Sequence, residues 1–186
     1  MSYREYKSII LQELNQGLTA VNENTMEEFV NMICNADKVF VVGVGRVLLM
    51  LQALVKRLNH LGINAYYVGA VDEPAITEDD LLIVGSGSGE SVVPVNIVKI
   101  AKRYGAKIVH IGSNKESSMT QYEDLFVRIP CRTKLNLADE IDSKQPMSSL
   151  FEQSVLLMSD TIAMMIIEKK HIEDIHALWK KHANLE

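Results

Sequence analysis

The stretch Leu81-Leu82-Ile83-Val84-Gly85-Ser86-Gly87-Ser88-Gly89-Glu90-Ser91 decides how this chain is read. Its first four residues are an unbroken aliphatic run ended by glycine, the pattern of a strand buried on both faces, as in parallel sheets. A helix is expected to follow over about 91–104, stopped by Gly105. Pro94 falls in its first turn, where a missing N–H is tolerated. Between strand and helix, glycines and serines alternate. Glycines let the backbone turn tightly and approach a ligand. The hydroxyls of Ser86, Ser88 and Ser91 then face the same point as the free N–H groups of the helix start. Such a loop, with Gly87 and Gly89 in its backbone, binds an anion, most often phosphate. It is not a Walker A loop, because no Gly-Lys-Ser/Thr follows. The plainer alternative is a flexible turn of small residues.

The same alternation extends to both sides. Short apolar runs at 39–42, 65–68, 108–111 and 125–129 read as further strands, and a helix is expected over about 46–61 with Gly62 at its C′ position. Strands of four or five residues spaced by helices mean an α/β fold with a parallel sheet of five strands. Upstream, Tyr6, Ile9, Ile10, Leu14 and Leu18 recur at helical spacing. A second helix runs to about Asn35, with Thr25 and Glu28 spaced as a capping box. Downstream, residues 130–146 form a loop long enough to be either functional or disordered. A long helix over about 149–170 follows, and ten of the thirteen residues 155–167 are hydrophobic. Such a helix must be buried on most sides. A domain this small covers it poorly alone, which points to a subunit interface. A short amphipathic helix over about 173–182 ends the chain. The expected organisation is one domain over 1–186, with a helical lead-in at 1–36, a parallel core at 37–130 and C-terminal helices at 147–186.

Composition narrows the classes. At 186 residues, 47% hydrophobic and 23% charged, the chain has enough material for a core without staples. Two cysteines, Cys34 and Cys131, form no CxxC pattern, which excludes a disulfide framework and suits a reducing cytosol. Nineteen basic against twenty-four acidic residues argue against general nucleic-acid binding. The N-terminus lacks the apolar core of a signal peptide. The 155–167 run falls short of the roughly 20 residues a bilayer needs. A cytoplasmic protein is expected, with no membrane partner.

A second loop stands after the first strand, Gly43-Val44-Gly45-Arg46. It fails as a dinucleotide fingerprint, because Leu48 occupies the third glycine position and no acidic residue ends the second strand. It reads as a tight turn with a solvated Arg46. If the first and third strands are neighbours, however, it flanks the same crevice as the serine loop, where open α/β sheets bind ligands. Gly45 would then line that crevice, and Arg46 would add one positive charge to it.

These two loops, with the helical lead-in and the long C-terminal helix, make the chain resemble the sugar isomerase (SIS) domain family over essentially its whole length. Three segments resemble in particular the 6-phospho-3-hexuloisomerases within that family: Lys56-Arg57-Leu58-Asn59-His60-Leu61-Gly62, Gln145-Pro146-Met147-Ser148-Ser149-Leu150-Phe151-Glu152-Gln153 and His182-Ala183-Asn184-Leu185. The resemblance implies a three-layer αβα arrangement around a parallel sheet in flavodoxin-like order and a homotetramer. It implies interconversion of arabino-3-hexulose 6-phosphate and fructose 6-phosphate, with no metal and no organic cofactor. It assigns phosphate binding to Ser86, Ser88 and Ser91, the catalytic base to Glu152, and contact with a neighbouring subunit's site to His182. Two places depart from the family. Val47 and Leu48 replace the usual Ser and Gly of Gly-x-Gly-Arg-Ser-Gly, and Gly69-Ala70-Val71-Asp72-Glu73-Pro74 stands for the usual Gly-Glu followed by Thr-Pro. They leave two further readings: a phosphosugar-binding protein that does not catalyse, or an isomerase of another aldose or ketose phosphate.

Moving a carbonyl to the adjacent sugar carbon passes through a cis-enediol(ate), and one carboxylate can carry the proton both ways. Glu152 opens the buried helix and suits that task. Ser149-x-x-Glu152 is also a capping box, a purely structural use of the same side chain. His182 either moves protons between sugar oxygens or caps a helix end. His60, at another helix end, is either structural or site-lining. His110 reads as core, and His171 and His176 as surface. No histidine pair has convincing metal-ligand spacing.

Overall fold

The computed structural model describes residues 1–185. Strands β1 (Val39–Val42), β2 (Ala65–Tyr67), β3 (Leu81–Gly85), β4 (Lys107–Gly112) and β5 (Leu125–Arg128) form one sheet in the order β2-β1-β3-β4-β5. Every pairing is parallel. This is the flavodoxin-like order, and its topological switch lies between β1 and β3.

Alternation along the strands sends side chains to two faces. Val39, Val41, Leu81, Ile83, Val109 and Ile111 face helices α2 (Glu23–Asn35), α3 (Gly45–His60) and α5 (Ser149–Lys169). Phe40, Val42, Leu82, Val84 and Ile108 face α4 (Val92–Arg103). Helix α1 (Tyr3–Thr19) packs outside, against α5. The first face is thus the thick side of a three-layer αβα arrangement. Phe29 of α2 is fully buried there. Phe29→Ala should lower unfolding free energy by about 3–5 kcal/mol in chemical denaturation, the cost of a buried aromatic cavity.

Four local expectations change. Helix α2 begins three residues before the expected Thr25–Glu28 box: Asn22 is its N-cap and accepts from the Thr25 N–H at 3.0 Å. Helix α5 is covered mainly by its own chain, because α1, α2 and α3 all pack on it. Leu157 and Met164 remain on its outer side, 40% and 70% exposed. It is long and apolar enough to span a bilayer by length and composition, but more than half of that stretch is buried within the fold. The final segment is a 3-10 helix, Ile175–Lys181, with no buried residue.

The fourth change concerns residues 130–146, which are neither helical nor loose. Cys131 and Ile141 form a parallel bridge. The Glu140 carboxylate accepts from the Thr133 hydroxyl at 2.7 Å and from the N–H groups of Thr133 and Leu137. Arg128 pairs with Asp139, and Arg132 with Asp142.

Candidate active site

The crevice forms because β1 and β3 are neighbours. Their following loops meet closely: a Cβ on Gly43 would lie 3.4 Å from the Gly85 carbonyl oxygen. A Cβ on Gly85 would lie 2.7 Å from Val47 Cγ1 and 2.8 Å from Leu51 Cδ1, so any side chain there would have to displace both. Val47 therefore packs down onto the β3 end. Gly45 opens α3 at φ 57°, a left-handed conformation that favours glycine, and the position of its absent Cβ faces open space.

The serine loop can be followed group by group. The Ser86 carbonyl accepts from the Gly89 N–H at 3.1 Å and faces His110 Nε2 at 3.0 Å. The Gly87 carbonyl accepts from the Ser113 and Asn114 N–H groups, and the Ser88 carbonyl from Asn114 Nδ2. All three carbonyls are thus occupied on the β4 side. The N–H groups of Gly87, Ser88, Val92 and Val93 donate to nothing among the described residues. Pro94 removes the third donor of the α4 start, leaving Val92 and Val93. The hydroxyls of Ser86 and Ser91 lie 3.2 Å apart. Ser91 is the N-cap of α4 but makes no side-chain cap bond, so its hydroxyl is not tied down by the helix. Free N–H groups and hydroxyls with carbonyls turned away are the makings of an anion cradle.

Glu152 stands beside it. Phe151, one residue earlier, approaches the Gly87 Cβ position at 3.6 Å, which sets the start of α5 against the serine loop. The capping-box alternative for Glu152 does not hold. Ser149 is the first helical residue, not the cap, and its hydroxyl donates to the Pro146 carbonyl. The Glu152 carboxylate pairs instead with the Arg46 guanidinium, across the start of α3. Glu152 is buried, while the Arg46 side chain is 60% exposed. The structure therefore brings together Gly45, Arg46, Ser86, Gly87, Ser88, Gly89, Ser91 and Glu152.

It does not bring His60 and His182 to that place. They sit together, ring centroids 5.5 Å apart, with Trp179 against His182 at 5.1 Å. His60 is at the far end of α3, roughly 21 Å from Arg46 at about 1.5 Å rise per residue. The two histidines line a pocket of about 370 Å³ with Arg57, Asp160, Met164 and Trp179. His60 Nε2 is buried there without a hydrogen-bond partner. Burial, with the charges of Lys56, Arg57 and His182, holds the His60 imidazole below the usual histidine range. The described residues contain no group of three or more His, Cys, Asp or Glu that could hold a metal ion.

Four residues outside the expected set support the crevice. His110, expected in the core, is indeed fully buried, but it contacts the serine loop directly. Asn114 braces Ser88, and the Thr133 methyl group lies 3.2 Å from the Gly87 Cβ position. Glu13, far away in sequence on α1, accepts from the Ser143 hydroxyl at 2.6 Å, the Lys144 N–H at 2.9 Å and the Gln145 amide at 3.0 Å. It thereby anchors the segment that leads into α5 and Glu152. No local pattern marks these residues, because each acts through a partner distant in the chain. Burial pushes the Glu13 carboxyl up, but its three hydrogen bonds and the Lys144 charge outweigh this and hold it below the ordinary carboxylate value. A depressed folded value means the stabilisation is present above the unfolded value and is lost as pH falls through the folded one. Glu13→Gln should therefore lower Tm at neutral pH and flatten the loss of Tm on acidification, as thermal melts at pH 7 and pH 3 would show.

Comparison with known proteins agrees with this geometry. The SIS domain model matches residues 32–158. The chain is 34% identical over 186 residues to the 3-hexulose-6-phosphate isomerase of Bacillus subtilis, covering all of both chains. It is 32% identical to that of Mycobacterium gastri, over 96% of this chain and 89% of the other. A solved structure from Methanococcus jannaschii, from which a molecular function of 3-hexulose-6-phosphate isomerase was inferred, superposes with a TM-score of 0.84. That pair is 27% identical and covers 98% of this chain and 99% of the other. With its sheet order, its serine loop and these full-length relatives, the chain belongs to the SIS domain family.

Proposed function

We propose that this chain is a phosphosugar isomerase that interconverts arabino-3-hexulose 6-phosphate and fructose 6-phosphate. The observation that carries the reading is a buried carboxylate, Glu152, beside an anion cradle of unpaired N–H groups and hydroxyls. Full-length relatives named for this activity support the substrate. The phosphate lies over Ser86, Ser88 and Ser91, held by N–H dipoles and hydroxyls rather than by a basic surface. That suits a chain of net charge −5.

Fixing the phosphate places the sugar carbons at Glu152. Its carboxylate takes the proton from C2 of the 3-ketose as the C3 carbonyl becomes the enediol(ate) oxygen, the O2 hydroxyl proton passes to O3, and the same carboxyl returns the carbon proton to C3 as the C2 carbonyl forms. The carbonyl then stands at C2, with no net change in atoms or charge. Arg46 pairs with the carboxylate, and its exposed side chain can turn to the substrate's developing negative oxygen. Such a step is proton transfer alone and needs no metal or organic cofactor.

His60 and His182 serve the site of a neighbouring subunit in a homotetramer. Their distance from Glu152 within one chain and the unpartnered His60 Nε2 support this reading. The enzyme then works in the cytoplasm, in formaldehyde assimilation by the ribulose monophosphate pathway. Purified protein given fructose 6-phosphate and an active hexulose-phosphate synthase should release formaldehyde, and no release would sink the proposal. A phosphosugar-binding protein without turnover is the second reading, motivated by Val47 packed on Gly85 where the family usually has serine. It predicts a rise in Tm with sugar phosphates and no conversion of any C5 to C7 member of a panel. Conversion of another member alone would instead name a different substrate.

A further inference from the structure

His110 lies on β4 directly beneath the serine loop, with no exposed surface. Both ring nitrogens are engaged. Nε2 is 3.0 Å from the Ser86 carbonyl oxygen, and Nδ1 is 2.8 Å from Glu123 Oε2. A carbonyl only accepts, so Nε2 carries a proton. The Glu123 contact fixes the other side of the ring, and Phe126 packs against it with centroids 5.1 Å apart. The surroundings leave room for this ring and little else. A Cβ on Gly112 would lie 2.6 Å from His110 Nε2 and 2.9 Å from the Ser86 oxygen. A Cβ on Gly89 would lie 3.3 Å from His110 Cε1.

The Ser86 carbonyl is the first of the three that must face away from the crevice for the Gly87 and Ser88 N–H groups to face into it. If it turned, an acceptor would meet the anion in place of a donor. We propose that His110, oriented by Glu123, is a positioning residue of the anion cradle: its Nε2–H holds the Ser86 carbonyl down and keeps the loop's N–H groups outward. The inference rests on the phosphate-loop reading above. His110 does not touch substrate. It acts on phosphate affinity through Ser86, so its loss should raise Kd and KM and leave the proton transfer at Glu152 nearly untouched.

The test measures inorganic phosphate and fructose 6-phosphate binding by calorimetry, with kcat and KM in the coupled assay. His110→Leu removes the donor. Gly112→Ala leaves His110 and Glu123 in place but intrudes on the Nε2–Ser86 contact, and serves if His110→Leu does not fold. His110→Gln restores a donor near the Nε2 position. The expected result is a rise of about tenfold or more in Kd and KM for His110→Leu and Gly112→Ala, with kcat within about threefold, the scale of one lost buried hydrogen bond. His110→Gln should recover most of the affinity. A folded His110→Leu or Gly112→Ala protein with wild-type phosphate affinity would overturn the inference, as would a His110→Gln protein no better than His110→Leu. Wild-type protein that binds no phosphate would overturn the phosphate-loop reading itself, and this inference with it.

Discussion

Glu152→Gln should lower kcat by roughly 10²–10⁴-fold, the usual contribution of a positioned acid–base group, while fructose 6-phosphate still binds. The substitution keeps the side chain's shape, and an amide oxygen can still accept from Arg46, so α5 and the crevice should keep their arrangement. On the proposed reading, in which the serine loop holds the phosphate and Glu152 acts on the carbon proton, Kd by calorimetry should stay within about threefold. Unchanged turnover would remove Glu152 from the chemistry. That outcome has no refuge in a capping role, because the Ser149 hydroxyl is committed to the Pro146 carbonyl and Glu152 belongs to no capping box.

The second large effect is expected between subunits. His182→Ala should cost at least about tenfold in kcat, as expected for a histidine moving or polarising protons in the reaction. Mixed with Glu152→Gln protein and allowed to exchange subunits, it should regain activity. In a symmetric oligomer with each site built from Glu152 of one chain and His182 of another, roughly a quarter of the sites in an even mixture hold both native residues. Recovery toward that fraction, with mixed oligomers confirmed by native mass spectrometry, would establish the shared site. Mixed oligomers without recovery would place His182 outside it. The geometry behind the prediction is plain: His60 and His182 stack together at one end of α3, and Arg46 and Glu152 pair at the other.

Much of the fold was legible in the chain. The five strands, the helix stops at Gly62 and Gly105 and the serine loop between β3 and α4 all stand where spacing and composition put them. These features depend on neighbours a few residues away, which a sequence displays directly. The misses have two different causes. The start of α2 was misplaced because Asn22 and Thr25 both suit a cap, and the hydrogen bond chose Asn22. The 130–146 segment looked loose because its anchors, Glu13 and Arg128, come from other elements.

Hydrophobic period and turn chemistry are local, so the chain alone displays the architecture class and a serine-glycine loop suited to an anion, while Glu152 stands out through the family resemblance. Tertiary structure alone decided what those groups face. Glu152 and Arg46 meet across 106 residues. His110 reaches Ser86 across 24, and Glu13 reaches the approach to α5 across 130. Such pairings follow from the parallel crossover connections that set β1 beside β3 and α5 over the sheet. No window of residues contains them, so only the folded chain shows that His110, buried as expected, lies under the serine loop and that Glu152 pairs with Arg46 rather than closing a capping box.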